Sequence, residues 1–207
     1  MWYRACLDPV FLDVLRTLLR DRFAHRERVA ILELSSGFGF FSAKLVRLCA
    51  EEFPHQRFRL VFGDKPHEPF EATRQRVVSI VRIIGARNLE VGFLHGDAAD
   101  VLPPCFEKER FDIVFSEGGV LGDHIESIEN NLRVYDTIVK KGLRDEESVG
   151  VYSGLEPYFL PSENTSAMFR PYPGVANLET ANLQFFTFFD RSTTVQNVQS
   201  QIDEPES

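Results

Sequence analysis

Carboxylates and hydroxyls stand at the ends of four apolar runs in this chain, and that placement is where its chemistry is expected. Val29-Ala30-Ile31-Leu32-Glu33-Leu34 runs into Ser35-Ser36-Gly37-Phe38-Gly39, and Arg57 to Gly63 ends at Asp64. Leu89 to Leu94 is followed by His95-Gly96-Asp97-Ala98, and Phe111 to Phe115 by Ser116-Glu117. An apolar run stopped by an acid and followed by small residues reads as a buried strand opening into a loop that a ligand can approach closely. Glu33, Asp64 and Asp97, at successive strand ends, would form an acidic rim. Such a rim suits hydroxyls, amines and a cationic ligand, whereas a polyphosphate calls for Lys and Arg. Taken singly, Asp, Ser and Gly at these places are also ordinary turn and cap residues. Their recurrence in order is what points to a site.

A second constellation follows the fourth run. Glu117 and Glu126 stand nine residues apart around the glycine-rich stretch Gly118-Gly119-Val120-Leu121-Gly122, with His124 inside the bracket. The glutamates are candidates for holding or deprotonating an acceptor, and His124 for a general base. The plainer readings are a first-turn helix residue favoured by the dipole for Glu126 and an ordinary loop histidine for His124.

Hydrophobic periodicity supplies the elements that must position these residues. Asp8-Pro9 reads as a cap and first helical position, followed by Phe11, Val14, Leu15, Leu18 and Leu19 at helical spacing. The pattern predicts strands at 29–34, 57–63, 89–94, 111–116 and 148–152. It predicts helices at 40–52, from Pro69 to a stop at Gly85, and from Ile125 to Lys141 with Gly142 as its stop. Strands alternating with helices require crossover connections. The expected fold is therefore α/β, a Rossmann-like three-layer sandwich with a mostly parallel sheet covered on both faces. Beyond Gly154, Pro157, Pro161, Pro171 and Pro173 exclude a regular helix, and residues 182–189 predict one more strand. Residues 1–190 read as a single domain and 191–207 as a polar tail expected to be disordered.

Composition bounds the partners. The chain has 207 residues and a formal net charge of -8, which argues against a surface built to neutralise many phosphates and makes a nucleic-acid partner unlikely. His25, Arg26, Arg28 and the Arg74, Arg76, Arg82 series read as solvated helix faces. The three cysteines lack a CxxC pair, so neither a disulfide framework nor a metal site is expected. No apolar run reaches the ~20 residues of a membrane span, and no signal peptide is evident, so a cytoplasmic protein is expected.

The ordered set resembles the class I S-adenosylmethionine-dependent methyltransferases over residues 10–154. The family's acid followed by G-x-G-x-G is matched by Glu33-Leu34-Ser35-Ser36-Gly37-Phe38-Gly39, with Ser35 in place of the first glycine. Its ribose-binding acid falls on Asp64, its G-D-A on Gly96-Asp97-Ala98, and its F-D-x-V strand on Phe111-Asp112-Ile113-Val114. The resemblance implies S-adenosylmethionine as cofactor. It places the methionine portion at Glu33, Ser35, Gly37 and Gly39, the ribose at Asp64, the adenine at Asp97 and Ala98, and Ser116 at the fourth strand end. Ser116-Glu117 and Glu126-Ser127 are similar to the double-glutamate loop of protein arginine methyltransferases, although the aromatic and methionine residues of that loop are absent. The acceptor is then a small molecule or a protein side chain. A methyltransferase-like module without turnover, suggested by Ser35, is the alternative. A nicotinamide or flavin reading of Gly37-Phe38-Gly39-Phe40-Phe41-Ser42-Ala43 is weaker, because it would set Glu33 beside a pyrophosphate.

Overall fold

The computed structural model describes residues 11–65, 68–117, 128–154 and 185–191. Six strands form one sheet: β1 (Arg28–Leu34), β2 (Arg57–Asp64), β3 (Leu89–His95), β4 (Ile113–Glu117), β5 (Val149–Gly154) and β6 (Phe185–Phe189). Their order is β3-β2-β1-β4-β5-β6, parallel throughout except for the antiparallel β5–β6 pair. The chain reverses strand order on passing from β3 to β4, so β1 and β4 flank the switch point where open α/β sheets place ligands.

Two helical layers cover the sheet. Residues 11–17 run into a π-helical turn at Leu18–Arg22 to make α1. The others are α2 (Phe40–Arg47, continued by Leu48–Glu52), α3 (Glu68–Ile84), α4 (Ala98–Phe106) and α5 (Ile128–Thr137, continued by Ile138–Gly142). Alternation along β1 assigns its side chains to two cores. Val29 and Ile31 join Phe11, Leu15, Phe41, Leu45 and Val77 from α1, α2 and α3. Ala30, Leu32 and Leu34 join Leu102, Phe106, Val134 and Tyr135 from α4 and α5. Burial on both faces is why β1 is continuously apolar instead of alternating.

Helix α4 is invisible to periodicity, because Pro103 and Pro104 lie inside it and each removes a helical donor. It forms because the Asp97 carboxylate caps it and Ala98, Leu102 and Phe106 bury one face at a spacing of four. Gly85 ends α3 in the left-handed conformation expected of a helix stop (φ 66°). The antiparallel edge strand packs closely at one point: a Cβ on Gly150 of β5 would run into the Phe189 ring, which also meets Tyr135 edge-on with centroids 5.3 Å apart. The proline-rich segment 155–175 and the tail from 192 lie outside the described residues.

The amino-terminal edge of the sheet corrects one expectation. Arg26 does not sit on a solvated helix face; it leads into β1 with its side chain largely buried. Its guanidinium pairs with Asp112 and reaches Asp145 and Glu147 at 2.9 Å each. Asp112, wholly buried, also accepts the Ala30 N–H at 2.6 Å and faces Arg144 at 3.3 Å. The motif aspartate of the fourth strand is thus a structural tie between β1 and the chain around β4 and β5, at the end of the sheet opposite the strand tips.

Candidate active site

Strand register brings the predicted residues to one edge. Leu34 pairs with Gly63 on one side and Ser116 on the other, while Gly63 pairs with Leu94 and Asp64 with His95. The tips of β1, β2, β3 and β4 therefore form a row, with neighbouring strands about 4.8 Å apart. Ser35, Asp64 and Asp97 all follow directly on that row.

Glu33 shares the parity of Val29 and Ile31, which directs it to the face covered by α2. It is only 4% exposed, and its Oε1 accepts a hydrogen bond from the buried Ser42 hydroxyl at 2.9 Å. Ser42, where a dinucleotide fingerprint would carry glycine, is thereby the residue that orients the acid. Glu33 is a buried carboxylate at the strand tip, chemistry that suits an ammonium and opposes a phosphate.

The loop after β1 is built from left-handed residues. Ser35 has φ 59°, Gly37 54° and Gly39 69°. Ser35 thus keeps the backbone conformation of the glycine it replaces. Gly39 has a second reason to lack a side chain, since a Cβ there would lie 2.7 Å from Thr73 Cγ2 and 2.8 Å from Thr73 Cα on α3. The Thr73 hydroxyl donates to the Gly37 carbonyl, and Arg76 donates to the Phe38 carbonyl while lying 4.0 Å above the Phe40 ring. Arg76 accordingly braces the loop, although its spacing reads only as a helix face. Phe38 and Phe40 remain half or more exposed beside the turn.

Asp64 is the hub of the edge. Its Oδ2 accepts the Gly37 N–H at 2.6 Å and its Oδ1 the Lys65 N–H at 2.7 Å, while its carbonyl accepts the Gly96 N–H at 3.0 Å. The acid expected to meet a ribose also fixes the glycine loop. Asp97 caps α4 through the Ala99 N–H at 3.0 Å. The Ala99, Asp100 and Val101 N–H groups at the head of the helix are all satisfied by Asp97. Lys65, which sequence reading passed over, sets its Nζ 3.3 Å from Asp97 Oδ2. The rim is therefore not purely acidic. Its signal was available, because the residue after a strand-end acid points to the same crevice.

Ser116 is fully buried in the fourth tip and Glu117 ends β4, opposite Ser153 of β5. His124 and Glu126 lie outside the described residues, so the structure brings together Glu33, Ser35, Gly37, Gly39, Asp64, Asp97, Ala98 and Ser116, with the backbone of Glu117. Among the described residues no cluster of three metal-ligating side chains occurs, and no helix is long and apolar enough to cross a membrane. Two open depressions of about 450 and 400 Å³ lie at the far edge, the larger beside Phe106, Lys108 and Lys141 and the smaller where Arg28 and Arg59 are cross-paired with Glu90 and Glu109. Those charges satisfy one another and are distant from the strand tips.

The sequence matches no family model and no curated protein. Solved structures do resemble this one. The TDP-rhamnose 3'-O-methyltransferase of calicheamicin biosynthesis superposes with a TM-score of 0.57 at 15% identity, over 87% of this chain and 78% of that one. The ribosomal RNA methyltransferase AviRa of Streptomyces viridochromogenes gives 0.57 at 11% identity, over 86% and 84%. A Listeria monocytogenes protein described as a class I S-adenosylmethionine-dependent methyltransferase gives 0.59 at 10% identity, over 86% of this chain and 58% of that one. The fold is that of the class I S-adenosylmethionine-dependent methyltransferases. At these identities the likeness establishes the fold alone.

Proposed function

We propose that this chain is an S-adenosylmethionine-dependent methyltransferase acting on a nitrogen or oxygen nucleophile, with a small molecule favoured as acceptor. One observation carries the reading: a left-handed glycine turn, a buried carboxylate and two further acids converge on the carboxyl tips of β1, β2 and β3. That donor set fits the cofactor's ammonium, ribose diol and aminopurine. Bound there, the cofactor supplies an electrophilic methyl group on a sulfonium.

The chain's own residues then have separable tasks. Glu33, oriented by Ser42, meets the ammonium, and the Gly37–Gly39 backbone receives the methionine portion. Asp64 accepts from the ribose, while Asp97 and the Ala98 N–H read the purine edge. Ser116 contributes from the fourth tip. Glu117, Glu126 and His124 are the candidates for aligning the acceptor and taking its proton.

The acceptor follows from charge more than from fold, since the similar structures include an enzyme acting on a TDP-sugar and one acting on ribosomal RNA. A net charge of -8 weighs against a polyanion and supports a small metabolite. A protein arginine side chain, held by Glu117 and Glu126, is the alternative. A binding module without turnover is the other alternative, and the residue that points to it is Ser35, which sets a side chain in the left-handed position of the motif's first glycine.

Calorimetry with S-adenosylmethionine and S-adenosylhomocysteine tests the cofactor step, and absence of binding at millimolar ligand overturns it. Transfer of labelled methyl to metabolite fractions supports the favoured acceptor. Transfer to an arginine-rich peptide, lost in Glu117→Gln, supports the protein branch. Binding with no transfer to either identifies the module.

A further inference from the structure

We propose that Lys65 is a specificity-determining residue of the crevice, competing with the ligand's purine for Asp97; this rests on the cofactor reading above. The Lys65 ammonium lies 3.3 Å from Asp97 Oδ2, and Asp97 Oδ1 accepts the Ala99 N–H at 3.0 Å. Both oxygens of the acid that would accept a 6-amino group therefore already hold donors. The backbone sets this juxtaposition. Lys65 N–H is fixed to Asp64 Oδ1, Gly96 N–H to the Asp64 carbonyl, and β2 and β3 pair in register up to Asp64 and His95. The cation and the acid consequently belong to adjoining tips of the sheet. Both side chains are partly exposed, so the ammonium can leave the carboxylate at modest cost.

Two consequences follow from the chemistry. A 6-aminopurine must displace the Lys65 ammonium from Oδ2 or share that oxygen with it. Salt weakens the competing ion pair, so rising ionic strength shifts affinity in favour of the ligand relative to a protein without the lysine, on top of whatever slope the Glu33–ammonium contact sets. In addition, Lys65 places a donor beside the Asp97 acceptor. A 6-oxopurine presents an acceptor where adenine presents a donor, and the lysine can satisfy it. Lys65 therefore narrows the preference for 6-amino over 6-oxo purines.

The experiment is calorimetry on the full chain with S-adenosylhomocysteine and S-inosylhomocysteine, at low and high salt, for the wild type, Lys65→Met and Lys65→Arg. Lys65→Met is expected to bind S-adenosylhomocysteine about threefold more tightly at low salt, the scale of an exposed ion pair. Its affinity should also fall more steeply, or rise less, with salt than that of the wild type, and it should discriminate more strongly against the inosyl ligand, while Lys65→Arg keeps the wild-type pattern. Thermal unfolding of each variant verifies that the fold is intact. A lysine that merely braces the strand tips would give a methionine variant with weaker binding and an unchanged salt slope. Wild-type binding with no gain in Lys65→Met overturns this inference alone. No binding by any form overturns the cofactor reading and takes this inference with it.

Discussion

At Ser35 an L-residue holds a left-handed backbone (φ 59°) that glycine adopts most easily. The conformation costs a residue with a Cβ about 1–2 kcal/mol, and the gain from removing that Cβ is offset in part by the greater freedom of glycine in the unfolded chain. Ser35→Gly is thus expected to match or exceed wild-type stability, by up to about 1 kcal/mol. Ser35→Val, β-branched in the same backbone, should lose about 2 kcal/mol. Urea unfolding midpoints at unchanged m-value measure both. Among the positive-φ glycines, Gly39 and Gly85 separate packing from conformation. An added Cβ at Gly39 meets the Thr73 backbone, whereas at Gly85 it meets open space. Gly39→Ala should therefore cost about 3 kcal/mol and Gly85→Ala about 1 kcal/mol. Equal losses would show that the loop does not rest on Thr73.

Elements are joined at the amino-terminal edge by charge, and this gives the fold a pH signature. Burial raises the Asp112 carboxyl above its ordinary value against the pull of the Ala30 N–H, Arg144 and Arg26. Burial also opposes ionisation of Asp145, yet hydrogen bonds from Arg26 and Ser148 hold it below the usual carboxylate range, and Arg26 does the same for Glu147. Groups with a lowered folded value stabilise above their unfolded values of about 3.9 and 4.3, and that contribution disappears as pH falls through the folded values. Asp112, with a raised value, works in the opposite sense. Its contribution is present below about pH 3.9 and is lost as pH rises through the folded value, so near neutrality its buried charge depends on the two arginines. Arg26→Met is expected to cost about 3 kcal/mol near neutral pH, because it leaves a buried carboxylate short of a partner. The gap should narrow below about pH 4, where Asp112 accepts a proton and Asp145 and Glu147 lose their advantage. Denaturant titrations across that range test it, and a gap independent of pH would contradict the assignment.

For the whole molecule, a ligand seated on the strand tips links binding to folding. S-adenosylhomocysteine at about a hundred times its dissociation constant should add ~2.7 kcal/mol of stability. For a domain of this size that corresponds to a rise of about 5–10 °C in melting temperature. Glu33→Gln and Asp64→Asn are expected to abolish the rise. Lys141→Ala, at the far edge of the sheet, should leave it intact, and a shift insensitive to Glu33 would place the ligand elsewhere. Much of this architecture was legible beforehand. Continuous apolar runs broken by helical spacing determined a parallel sheet with two covers, and the acids after those runs determined which residues gather at the strand tips, because strand parity and crossover geometry are local consequences of residue type. Tertiary structure alone decided the rest. Helix α4 overrides two prolines through burial and a cap, Arg26 leaves the solvent to tie Asp112, and Ser42 becomes the partner of Glu33. Asp64 serves as a clamp on the glycine loop, and Lys65 meets Asp97 from an adjoining strand tip. Each of these contacts joins residues from different elements, and spacing along the chain does not encode distances across a sheet.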